Sequence, residues 1–344
     1  MTSGRDAARL RAVADPADAG ALLRAIWPLR SRADIARCSK LVRRLVVLGM
    51  PVAQASAVAV QVRNLLAFLT ARAGRHRQSK TWRITAPDGR SILLPVGDPA
   101  SRAFKDLVDG YDGFYERALI EFIVQRLGPD DVMVDVGAHV GYVSCFAATT
   151  GAAVFAFEIQ RELFPLIEEA ATINGLDLLR VLHAGAAQAA GLSAIPRSGS
   201  TLGGQLTDVK VDGGGFDPGT ILQDYVVTVS LDEAFSDKPT APRIVKIDAE
   251  GHEIGILRGA RRIIERGETT FVVEYHAHMI GSFGHSPEDL FALFDAARWE
   301  AFQLDDDGLS PVAGIGDVVP DPHDPNPKLV FQPRRAAGGL RRRG

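Results

Sequence analysis

The apolar run Val132–Val136 feeds directly into Gly137, Ala138, His139, Val140 and Gly141, and a second apolar run downstream ends in Glu158. Few folds accommodate this order. A short apolar run bounded by glycine reads as a buried strand. Gly137 permits a tight turn at its end, and Gly141 lets a helix begin close to the strand. An acid about 20 residues beyond the glycines can accept hydrogen bonds from both hydroxyls of a ribose. Strand, glycine turn, helix, strand and acid together are how an open α/β sheet builds a nucleotide-type site.

The rest of the chain repeats this alternation. Apolar runs at 132–136, Ala153–Phe157, Leu179–Leu182, Arg243–Ile247, Thr270–Tyr275, Ala301–Leu304 and Lys328–Phe331 are mostly separated by amphipathic stretches, Ile254–Ile264 among them. The pattern predicts a mainly parallel sheet covered by helices on both faces. Upstream, Trp82–Thr85, an Asp88-Gly89 turn and Ser91–Leu94 read as a β-hairpin. Residues 100–127 read as helical with a break over Asp109–Gly113. The span 189–225 is rich in Gly, Ser and Asp and reads as an insert or loops.

A hydrophobic fraction of 46% and a charged fraction of 24% support an ordinary globular core. Cys38 and Cys145 lack CxxC spacing, which argues against a disulfide framework and a zinc site and predicts a reducing, cytoplasmic setting. The net charge of −3 hides an asymmetry. Residues 1–80 are basic, with Arg24, Arg30, Arg43, Arg44, Arg72 and Arg77 among many, and they read as a helical extension ahead of an α/β domain at 81–335. A basic tail, 336–344, ends in Arg341–Arg343. The plain reading of the arm is a solvated helical extension. Its candidate partners are a second copy of the chain or a membrane surface, and no nucleic acid is expected. Leu45–Val62 lacks charge but contains Pro51, Gln54, Ser56 and Gln61, so it reads as a packed or interfacial helix and not a span.

Two further clusters fall at strand ends. Lys246, Ile247, Asp248, Ala249, Glu250, Gly251, His252 and Glu253 close one apolar run and open an amphipathic stretch. Ligands of open α/β sheets bind beyond the carboxyl ends of strands, so Asp248, Glu250 and His252 share a rim with Gly137 and Glu158. Glu250 and Glu253 also favour a helix N-terminus electrostatically. In Val272–His278, Glu274 and His276 fall on one side of a regular strand, with His278 just beyond. His285 lies on an expected loop.

The strings VDVGAHVGYVS, FEIQ, KIDAEGHE and FVVEYH, in this order and spacing, resemble the FkbM family of S-adenosylmethionine-dependent methyltransferases. Gly113-Phe114-Tyr115-Glu116, Asn174-Gly175-Leu176 and Ser230-Leu231-Asp232 add to the likeness, which covers roughly residues 84–333. The resemblance implies a Rossmann-like class I methyltransferase fold with a seven-stranded, mainly parallel sheet. It places Asp135, Gly137, Ala138, His139 and Gly141 around the methionine part of the cofactor, Glu158 on the ribose diol and Ile159 near the adenine. Tyr115 and Glu116 close over the cofactor. Asn174 either joins this set or simply closes a helix. Asp248 and Glu250 face the transferred methyl group or the acceptor, with His278 a further acceptor contact. His139 and Gln160 depart from the residues the family often carries there, a small polar residue and Pro.

Methyl transfer to oxygen needs alignment of donor and acceptor and a base for the hydroxyl proton. Asp248, His252, Glu274 and His276 are the candidates, with a carboxylate–histidine combination preferred. Asp248, Glu250 and Glu274 offer oxygens suited to Mg²⁺, and no metal is assigned. The leading expectation is thus an O-methyltransferase acting on a hydroxyl of a glycan or secondary metabolite. An NAD(P)-dependent oxidoreductase is the alternative enzyme, but its G-x-G-x-x-G spacing is missing. A non-catalytic Rossmann-type module acting through the basic arm is the third reading.

Overall fold

The computed structural model describes residues 80–195, 207–208, 224–319 and 326–334. The expected basic helical extension, the Leu45–Val62 stretch, Cys38 and the C-terminal tail lie outside the described residues. Strands β1 (Thr81–Thr85) and β2 (Ser91–Pro95) pair as the expected hairpin. Helix α1 (Pro99–Asp109) starts at Asp98, whose carboxylate accepts the Ala100 and Ser101 backbone N–H groups, and α2 (Arg117–Val124) follows. The alternating part then runs β3 (Val132–Val136), α3 (Tyr142–Ala148), β4 (Ala153–Phe157), α4 (Phe164–Asn174) and β5 (Leu179–Leu182). The insert region holds β6 (Gly185–Ala186), β7 (Gly191–Ile195), β8 (Thr207–Asp208) and β9 (Asp224–Val229), a separate four-stranded sheet. The chain continues with α5 (Leu231–Phe235), β10 (Ile244–Ile247), α6 (Glu253–Arg258), α7 (Arg261–Arg266), β11 (Thr270–Glu274), α8 (Ala277–Ile280), α9 (Pro287–Phe291), β12 (Trp299–Asp305), β13 (Gly308–Val312) and β14 (Lys328–Pro333).

The main sheet has the order β13-β12-β14-β11-β10-β3-β4-β5. From β11 to β5 all neighbours are parallel. β14 is antiparallel to β11 and β12, and β13 is antiparallel to β12. The expectation of seven mainly parallel strands is therefore corrected to eight strands of mixed direction. β13 escaped notice because its sequence, Gly308-Leu309-Ser310-Pro311-Val312, carries little apolar alternation; it is an edge strand, where proline and polar residues are tolerated. It follows β12 through a tight turn, which antiparallel pairing allows and parallel pairing does not.

Alternation along the strands divides the core between the two sheet faces. Met133, Val154, Ile244 and Val272 pack with α1 to α4 on one face. Val134, Val136, Val245, Ile247 and Val273 pack with α5, α6, α7 and α9 on the other. The expected single helix over Ile254–Ile264 is two helices. A Cβ at Gly259 would overlap the Ala187 carbonyl oxygen, so the chain passes against the insert there. The Asp232 carboxylate then starts α7 by accepting the N–H groups of Arg262 (3.0 Å) and Ile263 (3.1 Å).

Candidate active site

A cavity of ≈ 330 Å³ lies beyond the carboxyl ends of β3, β4, β10 and β11. Its floor begins with the glycine turn. Gly137 has φ +78°, and a Cβ there would overlap the backbone oxygen of Asp248. The turn after β3 and the loop after β10 are therefore in direct contact. Four described non-glycine residues have positive φ, and three of them, Glu116, His139 and Glu250, line this cavity. Backbone strain of that kind persists only where surrounding contacts over-determine it.

Charges are laid out in register across neighbouring strands. Lys246 on β10 pairs with Asp135 on β3, and Glu274 on β11 with Lys328 on β14. Lys246 Nζ lies 3.2 Å from Asp135 Oδ1 and 3.3 Å from Asp248 Oδ2, and donates to the Gly137 carbonyl at 3.1 Å. Burial opposes its charge, but Asp135, Asp248, Glu116 and Glu274 more than offset this and raise its pKa. Lys328 Nζ lies 3.2 Å from Glu116 and 4.0 Å from Glu274 Oε2. Burial raises the Glu116 carboxyl in spite of Lys328 and Lys246.

His276, just past β11, is the centre of the acidic group. Its Nδ1 is 2.8 Å from Glu253 Oε1. Its Nε2 faces Asp248 Oδ1, Glu250 Oε2 and Glu274 Oε1, each at 3.9 Å. Burial works against the imidazolium, but Glu253, Asp248 and Glu274 push His276 up to about 9. Burial and the Asp248 charge push Glu274 up to about 8. Asp248 moves the other way: burial disfavours its charge, but Lys246 and His276 hold it below the usual carboxylate range. Asp248, Glu274 and His276 offer ligand atoms within 4.8 Å of one another. Lys246 and Lys328 already neutralise these carboxylates from behind, and no metal is assigned.

Glu158 sits across the turn from this group. Its two oxygens accept the N–H groups of His139 (2.7 Å) and Gln160 (2.6 Å). Burial pushes its carboxyl up to about 7 against those bonds. Each oxygen keeps a lone pair for a further donor.

The cavity brings together Tyr115, Glu116, Gly137, Ala138, His139, Glu158, Ile159, Asp248, Glu250, His252, Glu274 and His276. Four expected residues sit elsewhere. Asp135 lies beneath the floor, fully buried, accepting the Ser144 hydroxyl at 2.5 Å. Gly141 begins α3 beside Ile167. Asn174 spans α4 and β2, bonding both backbone groups of Leu93 at 2.7 Å. His278 is exposed on α8, its ring 6.3 Å from that of His276. His285 lies beside Arg258, 3.4 Å away, and is not part of the cavity lining.

Residues 135–301 match the family model described as the methyltransferase FkbM domain. Over this stretch, just under half of its length, the chain is similar to the methyltransferase FkbM domain. Within the wider span that resembles the family, the matched region contains the glycine turn, Glu158, the Lys246–Glu253 string and His276. Hexuronic acid methyltransferase AglP of Haloferax volcanii is 26% identical over 184 residues, 53% of this chain and 69% of that protein. Among solved structures, methyltransferase FkbM from Methylobacillus flagellatus KT is 16% identical, with a TM-score of 0.39, and the match covers 78% of this chain but only 59% of that one. A putative methyltransferase from Streptococcus mutans in complex with SAH is 12% identical, with a TM-score of 0.34, over 62% of this chain and 95% of that one.

Sequence reasoning passed over Lys246, Lys328 and Glu253 as site residues. A signal for the first two was present: each is a lone cation in an otherwise apolar strand, and a buried lysine requires a partner. Glu253 was read as serving its helix N-terminus, which hides its bond to a histidine 23 residues away.

Proposed function

We propose that the protein is an S-adenosylmethionine-dependent O-methyltransferase that methylates a hydroxyl of a sugar, glycan or secondary metabolite. The observation that carries this reading is one cavity lined both by a buried acid with spare acceptor capacity, Glu158, and by a carboxylate–imidazole group, Asp248, Glu274 and His276. The five parallel strands with helices on both faces are consistent with a Rossmann-like class I arrangement. The name of the AglP relative, a hexuronic acid methyltransferase, supports a sugar acceptor.

The residues fit the cofactor. Glu158 is a buried acid whose oxygens, among the described residues, hold backbone N–H groups, which suits two ribose hydroxyls as further donors. When bound, S-adenosylmethionine supplies an electrophilic methyl carbon on a positively charged sulfur. An acceptor hydroxyl taking that methyl group would have to lose its proton to a side chain of this cavity. Asp248 stays ionised and orients the hydroxyl. With its extra proton released to solvent, the neutral His276 ring would take the acceptor's hydroxyl proton at Nε2 while Nδ1–H stays on Glu253. Positioning by the rigid strand ends contributes the alignment.

Calorimetric titration with S-adenosylhomocysteine and NAD, followed by transfer of labelled methyl from S-adenosylmethionine into a glycan library, tests this reading. Binding of NAD and not S-adenosylhomocysteine overturns it in favour of a dehydrogenase. Binding of neither favours a non-catalytic module.

A further inference from the structure

We infer that Glu253 is a positioning residue that fixes both the His276 ring and the Ala249–Gly251 turn, so that the two loops carrying the acceptor-side groups share one geometry. The inference rests on the methyl-transfer reading for its purpose, but not for its geometry. Glu253 is the first residue of α6 and fully buried. Its Oε1 accepts from His276 Nδ1 at 2.8 Å, the Gly251 N–H at 3.0 Å and the Ala249 N–H at 3.4 Å.

A helix N-terminus explains the two backbone bonds. It does not explain the third, which reaches across to the loop after a different strand. An acid on Nδ1 fixes which ring nitrogen carries the proton, as second-layer carboxylates do for working histidines generally. Here it turns Nε2 into the cavity, toward three carboxylate oxygens that all stand at 3.9 Å. That separation is too long for a hydrogen bond, so none of the three oxygens holds Nε2, and a polar group entering among them can reach it. The same Glu253 oxygen braces the turn that holds Glu250 at φ +51°, which accounts for how the strained residue is kept in place. One buried carboxylate thus sets the relation between Asp248 and Glu250 on one loop and His276 on the other.

The groups facing His276 are Asp248 and Glu250 after β10, Glu253 on α6, Glu274 on β11 and His278 on α8. Nitrogen-detected NMR of the full chain reads its ring directly, with the signal assigned by its loss in His276→Gln. In the wild-type protein the neutral ring is expected as the Nδ1–H tautomer. Glu253→Gln, with folding checked by circular dichroism, is expected to lower the His276 midpoint by about one unit or more. Glu253→Asp, which retains the charge, is expected to restore part of the shift. A wild-type Nε2–H tautomer, or an unmoved midpoint in Glu253→Gln, overturns the inference. The tautomer is read on the wild-type chain, so it decides the matter even if the variants do not fold. No acceptor or cofactor is needed, so this outcome is separate from the calorimetric test of methyl transfer.

Discussion

Replacing Lys246 with methionine is the perturbation that most directly tests the electrostatic floor of the site. Lys246 and Asp135 have side-chain exposures of 4% and 0% and lie 3.2 Å apart, so solvent screening does little to weaken their interaction. Among the described residues, the substitution leaves the Asp135 carboxylate with only the Ser144 hydroxyl, and it also removes the donor to the Gly137 carbonyl. Breaking one side of a buried pair costs about 3–5 kcal/mol, a large part of the roughly 5–15 kcal/mol that holds a domain together. Urea denaturation should show that loss as a lower midpoint with an unchanged slope. Lys246→Met combined with Asp135→Asn should recover more than half of it, because removing both charges of a buried pair is often close to neutral. A loss below about 1 kcal/mol in the single variant, or simple additivity in the double variant, would refute the reasoning.

Three further outcomes follow from the same geometry. Burial pushes Glu158 up to about 7; the raised value favours the protonated carboxyl below that pH, and the ionised form that best accepts two hydroxyl donors appears above it. S-adenosylhomocysteine affinity should therefore strengthen as pH rises through about 7 in calorimetry, and Glu158→Gln should show weak binding with a flat profile. Gly137→Ala should lower stability by about 1–3 kcal/mol or more, since its methyl group meets the Asp248 carbonyl; an unchanged thermal melt would be incompatible with the described turn. Glu250→Gly should relieve the positive φ and gain up to about 1 kcal/mol after the added freedom of the unfolded chain is counted, at the expense of methyl transfer. A fall in its melting temperature would show that Glu250 is not strained.

Much of this architecture was legible in local pattern. Val132–Val136, Ala153–Phe157 and Leu179–Leu182 form strands with those same ends because a continuous apolar run between turn residues has few other uses. The glycine turn and Glu158 were readable for the same reason. What escaped was non-local. The break at Gly259 depends on Ala187, 72 positions earlier, and on Asp232. Strand β13 depends on the edge left open by β12. The roles of Lys328 and Glu253 depend on partners supplied by other elements, Glu116 and His276. Periodicity reports which face a residue occupies, not which charge waits there.

The contact between Gly137 and the Asp248 carbonyl, with Lys246 holding the Gly137 carbonyl from beside it, bears on how this scaffold can be re-engineered. The glycine turn and the loop after β10 are more than 100 positions apart in the chain, yet they form a single mechanical part. A loop grafted from a relative to change the acceptor would carry its own path past residue 137. The smallest exchangeable unit is accordingly the pair, Asp135–Gly141 together with Lys246–Glu253, and a graft of either alone should misplace the other.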